Sequence, residues 1–262
     1  MGTSTMRIAA VGDLHCTTAS QGAFQSLFAS MSAAADVIVL CGDLTDYGLP
    51  EEAQVLVKEL GAVRQVPVVA VLGNHDYESG TADQVKGVLT DAGIQLLDGG
   101  SYAIKDVGFA GAKGLGGGFG ERALQPWGED IMKRLVRETV DEALKLESGL
   151  ARLRTARRVA VLHYSPIRET VEGESPEVYA FLGSSRLEEP LLRYPVVAVI
   201  HGHAHRGQLE GRTRDGAPVY NVCLPLLQAL RPEQPPFRLI ELPDTGASSD
   251  PVAPATAPAT AR

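Results

Sequence analysis

Short apolar runs alternate with amphipathic stretches along the first part of the chain. Arg7 to Val11, Val37 to Cys41 and Val66 to Leu72 have the length and character of buried strands. Between them, residues 21–35 carry apolar side chains at helical spacing, and Pro50 opens a second such stretch with acidic residues in its first turn. The order strand, helix, strand, helix, strand predicts an α/β fold with right-handed crossovers.

The second part of the chain predicts further strands and helices in a less regular order. Residues 81–92 predict a helix, residues 94–111 short strands around the Gly99-Gly100 turn, and residues 129–156 a long helix whose basic end, Arg152 to Arg158, complements the helix dipole. The remaining predicted elements are a strand over 159–162, a helix over 184–192, a strand over 196–200, a hairpin of 208–212 and 218–223 around 214–216, and a strand over 237–242.

Domain organisation follows from a change of composition near the C-terminal end. Residues 6–243 are expected to form one domain, since no repeat or interior linker divides them. Residues 244–262 are rich in Ala, Pro and Thr and lack core-forming side chains, so we expect a disordered tail.

Composition narrows the function classes. Among 262 residues, 24 are basic and 32 acidic, and the formal charge of -8 disfavours binding to long nucleic acids or anionic membranes, which need a basic surface. No apolar run approaches the length of a membrane span, and no signal peptide is evident. Three scattered cysteines indicate a reduced compartment rather than a disulfide framework, so a cytoplasmic location is expected.

Five predicted strands are followed by turns that carry potential metal ligands. Ligands gather at the carboxyl ends of strands in α/β folds, where these turns lie. Imidazole nitrogens, carboxylates and an amide oxygen suit Zn, Fe, Mn or Ni, and there are too many donors for one tetrahedral ion. The turns are Gly12-Asp13-Leu14-His15, Gly42-Asp43-Leu44-Thr45-Asp46, Gly73-Asn74-His75-Asp76, Leu162-His163-Tyr164 and Gly202-His203-Ala204-His205.

The order of these motifs over residues 12–205 resembles that of the calcineurin-like metallophosphoesterase superfamily. The Gly-Asn-His-Asp element and the Gly-Asp-Leu-Thr-Asp-Tyr-Gly stretch are most similar to its bacterial, class III cyclic-nucleotide-phosphodiesterase-like branch. The resemblance implies a four-layer α-β-β-α sandwich with two mixed sheets and a dinuclear metal site at the sheet edge.

The resemblance also implies a role for each site residue. The two ions, divalent or trivalent Mn, Fe, Zn or Ni, would clamp the phosphoryl group while a metal-bridged hydroxide attacks phosphorus in line. His75 resembles the family's catalytic histidine that is not a ligand, and Asp76 would orient its ring. The implied ligands are Asp13, His15 and His205 for one ion, Asn74, His163 and His203 for the other, and Asp43 as the bridge.

The implied activity is hydrolysis of phosphoric esters, and the branch favours a phosphodiesterase that acts on a small substrate. A phosphomonoesterase (a nucleotide or protein phosphatase) and a nuclease of the same superfamily remain alternatives. A non-enzymatic scaffold is disfavoured, because every expected ligand and the catalytic histidine are present. The natural substrate, the native metal pair and the oligomeric state stay open.

Several features beside the motifs permit two interpretations. His201 precedes Gly-His-x-His and is interpreted as a structural or supporting histidine rather than a ligand. Cys16 follows a predicted ligand but is interpreted as a small buried residue. The glycine-rich residues 111–120 lack the Gly-Lys-Ser/Thr ending of a phosphate-binding loop and favour a mobile loop near the site. Asp46 either reaches the site or caps the helix that begins at Pro50.

Overall fold

The apolar runs form two β-sheets in the computed structural model, which describes residues 5–63 and 65–243. The strands are β1 (Met6–Val11), β2 (Val37–Cys41), β3 (Val68–Val71), β4 (Gln95–Leu96), β5 (Ser101–Ile104), β6 (Val107–Gly111), β7 (Arg157–Val161), β8 (Ala198–His201), β9 (Glu210–Arg212), β10 (Pro218–Asn221) and β11 (Arg238–Leu242).

Helices occupy most of the connections between these strands. The α-helices are α1 (Gln25–Ala34), α2 (Pro50–Leu60), α3 (Ala82–Asp91), α4 (Asp130–Arg152), α5 (Tyr179–Leu182), α6 (Glu188–Arg193) and α7 (Leu224–Leu230). The 3₁₀ helices are His75–Tyr77, Gly120–Arg122, Glu169–Val171, Pro176–Val178 and Ser185–Leu187. Among the described residues, no helix is both long and apolar enough to cross a membrane.

Both sheets are mixed. The first has the order β11-β1-β2-β3-β4, in which β1 to β4 are parallel and β11 is antiparallel to β1. The second has the order β5-β6-β7-β8-β10-β9, with β6, β7, β8 and β10 parallel and the edge strands β5 and β9 antiparallel. Strands β2 and β6 are buried along their whole length, as parallel strands covered on both faces require.

Three apolar clusters define four layers. The middle cluster joins the facing sides of the two sheets and includes Val39 from β2 and Val161 from β7. Phe28 of α1 packs in a second cluster, together with α2 and α3, against the outer face of the first sheet. Leu146 of α4 and Leu191 of α6 belong to the third, on the outer face of the second sheet. These layers confirm the predicted α-β-β-α sandwich.

The predicted basic helix end is wrong at Arg157. Helix α4 ends at Arg152, and Arg157 lies in β7 with 2% of its surface exposed. Its guanidinium donates to both carboxylate oxygens of Asp106, at 2.8 and 2.7 Å, and to the carbonyls of Leu242 and Pro243. Arginine can be buried when all its donors find partners, and those partners are distant in sequence. Helix α7 has no counterpart among the predicted elements, and the predicted tail, residues 244–262, lies outside the described residues.

Candidate metal centre

The carboxyl ends of strands from both sheets meet at one edge of the sandwich. Each polar turn that the sequence singled out follows one of these strands, so the sheet topology gathers residues 13 to 205 in one place. The side chains arrive as follows: Asp13 and His15 after β1, Asp43 after β2, Asn74 and His75 after β3, His163 after β7, and His203 and His205 after β8.

The backbone of this edge is strained. Six non-glycine residues in the described ranges have a positive φ, and four of them are Asp13, His15, Asp43 and His203, with φ of 58°, 46°, 46° and 70°. The left-handed region is sparsely populated by residues with a Cβ, and each such residue costs of order 1–3 kcal/mol. The surrounding structure therefore imposes these conformations, which turn the side chains sharply away from the strands.

Two glycines permit the close approach of the turns. Gly42 has a φ of +80°, and a Cβ there would lie 2.5 Å from the His163 ring. A Cβ at Gly73 would lie 2.1 Å from a carboxylate oxygen of Asp43. Any larger residue at either position would displace a predicted ligand.

Asp43 lies at the centre of one group of donors. Its Oδ1 is 3.4 Å from His163 Nε2, and its Oδ2 is 3.9 Å from His15 Nε2. His163 Nε2 is also 3.0 Å from the amide oxygen of Asn74. The carboxylate thus faces predicted ligands of both ions, which is the position that a bridging ligand needs. Asp43 Oδ1 also accepts from the backbone N–H of His75 at 2.9 Å.

Asp13 lies at the centre of the second group. Its Oδ1 is 3.1 Å from His205 Nε2, and both carboxylate oxygens accept from the backbone N–H of His203 at 3.0 Å. Donor atoms of Asp13, Asp43, His163 and His203 all lie within 4.8 Å of one another. The structure therefore brings all seven predicted ligands into one cluster.

Two histidines direct one ring nitrogen outward to a backbone carbonyl. His163 Nδ1 donates to the carbonyl of Cys41 at 2.9 Å, which leaves Nε2 to face Asn74. His203 Nε2 donates to the carbonyl of Phe181 in α5 at 3.2 Å, which leaves its Nδ1 for the centre. Such outer hydrogen bonds fix the tautomer and the ring orientation of metal-binding histidines.

Asp46 accepts the outer hydrogen bonds of two further histidine rings, those of His15 and His75. Its Oδ1 accepts from His15 Nδ1 at 3.1 Å, and its backbone carbonyl accepts from His75 Nδ1 at 2.7 Å. The helix cap near Pro50 is supplied instead by Glu52, whose carboxylate accepts from the backbone N–H of Leu49. Asp46 therefore belongs to the site, a role that the sequence left open because its spacing suits both functions.

One ring nitrogen tests whether this cluster fits a metal. His15 Nε2 is buried, has no hydrogen-bond partner among the described residues, and faces the Asp43 carboxylate. A buried nitrogen without a partner costs free energy, and a metal ion would satisfy it. The mixed imidazole, carboxylate and amide set is one that transition metals prefer. The residues fit the two ions that the family resemblance implies.

His163 and Asp43 form a buried pair whose charges stabilise each other. Burial disfavours the imidazolium of His163, but the charge of Asp43 and the hydrogen bond to it outweigh burial and raise the pKa of His163 to about 9. Burial also opposes the Asp43 carboxylate, yet His163 lowers its pKa. Burial, reinforced by the charge of His163, lowers the pKa of His203 to about 3. His203 is thus already in the neutral form that binds a metal, whereas His163 would release its proton when an ion binds.

Asp76 has different partners from those predicted. Its buried carboxylate accepts from the backbone N–H groups of Gly73, Leu44 and Thr45, at 2.8, 3.2 and 2.8 Å, and from the Thr45 hydroxyl at 2.6 Å. It does not reach the ring of His75, because adjacent residues of a helical turn point in different directions. Asp76 ties the β2 and β3 turns together, and the Asp46 carbonyl holds the ring.

Three of the features that permitted two interpretations, namely His201, Cys16 and the glycine-rich loop, lie outside the donor cluster. His201 is buried, with Nδ1 donating to the Gly202 carbonyl and Nε2 beside the Thr170 hydroxyl, both at 2.8 Å. Cys16 is buried, and its Sγ donates to the Glu52 carbonyl. In the glycine-rich loop, Lys113 Nζ donates to a neighbouring carbonyl and lies 5.1 Å from the Tyr164 ring centroid. Residues 111–118 of this loop are buried or half-buried rather than exposed as a mobile loop would be, and Gly120 at its end is exposed.

Comparisons with known proteins agree with this geometry. A family model described as calcineurin-like phosphoesterase matches residues 6–207. No curated protein sequence matches the chain significantly. Phosphopantetheinyl hydrolase from Mycobacterium tuberculosis is 15% identical, with a TM-score of 0.65, over 92% of this chain and 97% of that one. TT1561 from Thermus thermophilus is 14% identical, with a TM-score of 0.51, over 90% and 98%. At these identities the likeness shows the fold.

Proposed function

Because the chain belongs to the calcineurin-like phosphoesterase family, and is therefore a phosphoester hydrolase, we propose that it is a two-metal phosphodiesterase that acts on a small substrate. One observation carries this proposal: four histidines of the centre, His15, His75, His163 and His203, each bond one ring nitrogen to an oxygen outside the donor cluster and leave the other ring nitrogen available. Such a preorganised donor set has no use in a purely structural cluster.

In this proposal each predicted ligand keeps its assignment. Bound as a pair, the ions would supply a nucleophilic water of lowered pKa and positive charge that stabilises the phosphoryl oxygens. Asp43 lies between the two groups of donors, and its carboxylate faces His15 of one group and His163 of the other. The residues that would hold the ions are Asp13, His15 and His205 on one side and Asn74, His163 and His203 on the other.

His75 is the residue best placed to move a proton. Its Nδ1 is held by the Asp46 carbonyl, and its ring centroid lies 4.5 Å from that of His15. Its side chain is about one third exposed, so the second ring nitrogen can reach a substrate at the mouth of the site. We assign His75 the task of donating a proton to the leaving oxygen. Asp46, rather than Asp76, holds the ring for that task.

The charge of the chain supports a small substrate. A formal charge of -8 disfavours a long nucleic acid, whose binding needs a basic surface. The acidic surface does not oppose a small anion at the centre, because two bound cations would make the centre locally positive.

A substrate panel on metal-depleted protein tests the proposal. The chelated chain is supplied with Mn, Fe, Zn or Ni and assayed on bis-p-nitrophenyl phosphate, p-nitrophenyl phosphate, cyclic nucleotides and a phosphopantetheinylated protein. Turnover of diesters only with metal is expected. Asp43→Ala should abolish it, and Asp83→Ala, which removes an exposed carboxylate outside the donor groups, should retain it. Faster turnover of the monoester would favour a phosphomonoesterase. Absence of turnover with every metal and ester would overturn the proposal.

A further inference from the structure

Cys223 lies at the metal centre, although the sequence motifs assign it no role. It follows β10, the strand beside β8 in the second sheet, and an isolated parallel bridge pairs it with Gly12 at the end of β1. One donor atom each from Asp13, His205 and Cys223 lies within 4.8 Å of the other two. The thiol therefore shares one side of the centre with two predicted ligands of the same ion.

Hydrogen bonds hold Cys223 against the turn that carries the histidines. The side chain of Asn221 is buried, and its Oδ1 accepts from the backbone N–H of Cys223 at 3.2 Å. Its Nδ2 donates to the carbonyl of Ala204 at 2.8 Å. Ala204 stands between His203 and His205 in the chain. One amide side chain thus fixes the backbone of Cys223 relative to both of these ligands.

From this arrangement we propose that Cys223 is a thiolate ligand of the ion that Asp13 and His205 hold, an inference that rests on the proposed two-metal function. Sulfur, nitrogen and oxygen ligands bind Zn at about 2.0–2.3 Å, so small side-chain rotations convert this cluster into one coordination sphere. On binding, the thiol gives its proton to water and the sulfur takes one position on the ion. A soft sulfur at this position favours Zn or Fe over Mn.

The other two cysteines have different surroundings. Cys16 Sγ donates to the carbonyls of Thr17 and Glu52, at 3.8 and 3.7 Å. Cys41 joins no group of three or more metal donors in the described parts of the chain. These two residues provide matched controls, since each is a buried free cysteine near the same turns.

Cobalt substitution reads the proposed bond directly. Co²⁺ loaded into the metal-depleted full chain gives visible bands from the ion in any site, and an intense near-ultraviolet charge-transfer band only when a thiolate binds it. We expect that band in the wild-type chain and in the double variant Cys16→Ser, Cys41→Ala, where Cys223 is the only cysteine left. Cys223→Ser should lose it. The double variant keeps the test independent of whether Cys223→Ser folds.

The possible results separate this inference from the function that it rests on. Visible cobalt bands without a charge-transfer band would overturn the thiolate ligand and leave the two-metal function standing. A band that disappears in the double variant would also overturn it, because another cysteine would then be the ligand. Failure of the folded chain to bind cobalt at all would overturn both.

The ratio of Zn²⁺ to Mn²⁺ affinity gives a second measurement, because a merely structural role of Cys223 would leave that ratio unchanged. Competition with a chromogenic chelator measures the affinity of each variant for Zn²⁺ and Mn²⁺. Cys223→Ser should weaken Zn²⁺ binding at one position by about tenfold or more and Mn²⁺ binding much less, because a hydroxyl is a harder ligand than a thiolate. Equal weakening of both would contradict the proposal and indicate a packing defect.

Discussion

Replacement of Asp46 by Ala tests how much metal affinity depends on a residue that orients a ligand, His15, and is not itself a ligand. The change removes the carboxylate that accepts from His15 Nδ1 at 3.1 Å, and leaves the backbone carbonyl that accepts from His75. Loss of such an outer partner typically lowers metal affinity by about 10- to 100-fold, or roughly 1.4–2.7 kcal/mol. The Asp46 side chain is 26% exposed, so solvent screens part of the interaction and the lower end of that range is expected.

Titration of the metal-depleted chain with Zn²⁺ against a chromogenic chelator measures this loss. One of two sites should weaken by about tenfold in Asp46→Ala, while Asp46→Asn, which keeps an acceptor oxygen, should recover most of the affinity. Asp83→Ala removes an exposed carboxylate that belongs to none of the donor groups and serves as the control. Unchanged affinity for both ions in Asp46→Ala would refute the view that His15 is oriented by this hydrogen bond.

Three further predictions concern the bridge, the proton donor and the packing of the turns. Asp43→Ala should lower bound metal below two ions per chain by elemental analysis, because both groups of donors face that carboxylate; two ions retained would contradict a bridging role. His75→Ala should keep both ions but slow esters with poor leaving groups far more than p-nitrophenyl esters, since only the former need a proton; equal slowing of both would argue against His75 as the acid. Gly42→Ala should lower the melting temperature and the metal affinity together, because its Cβ would lie 2.5 Å from the His163 ring. Gly80→Ala, at a similar positive φ with open space around it, should show only the backbone cost of about 1–2 kcal/mol, and a metal affinity equal to that of Gly42→Ala would disprove the steric explanation.

The layers of the fold could be predicted because each strand is a continuous apolar run. Strands such as β2 are buried on both faces, so every position is apolar. The helical spacing of apolar residues between these runs separates one strand from the next. The same logic places the polar turns at one edge, since parallel strands end on the same side. What the pattern does not show is which strand joins which sheet. The Gly99-Gly100 turn, for example, separates β4 in the first sheet from β5 in the second.

Partners that come from distant parts of the chain could not be predicted. The sequence pattern assigns Arg157 to a helix end, because nothing local reveals that Asp106 and the carbonyl of Leu242 accept from its guanidinium. The pattern misses Cys223 for a similar reason: its strand contributes no aspartate or histidine, and the bridge that pairs it with Gly12 at the end of β1 brings it beside Asp13. A search for any polar or thiol residue just after each parallel strand, rather than for Asp, Asn and His alone, would have included Cys223 among the candidate ligands.

Four predicted ligands have left-handed backbone conformations, so the geometry that metal binding needs costs the fold stability. Glycine adopts such backbone angles with less strain, so glycine at positions 13, 15, 43 or 203 would relieve backbone strain while removing a donor and the hydrogen bonds that this donor makes. The chain therefore carries a local trade-off between durability and metal binding.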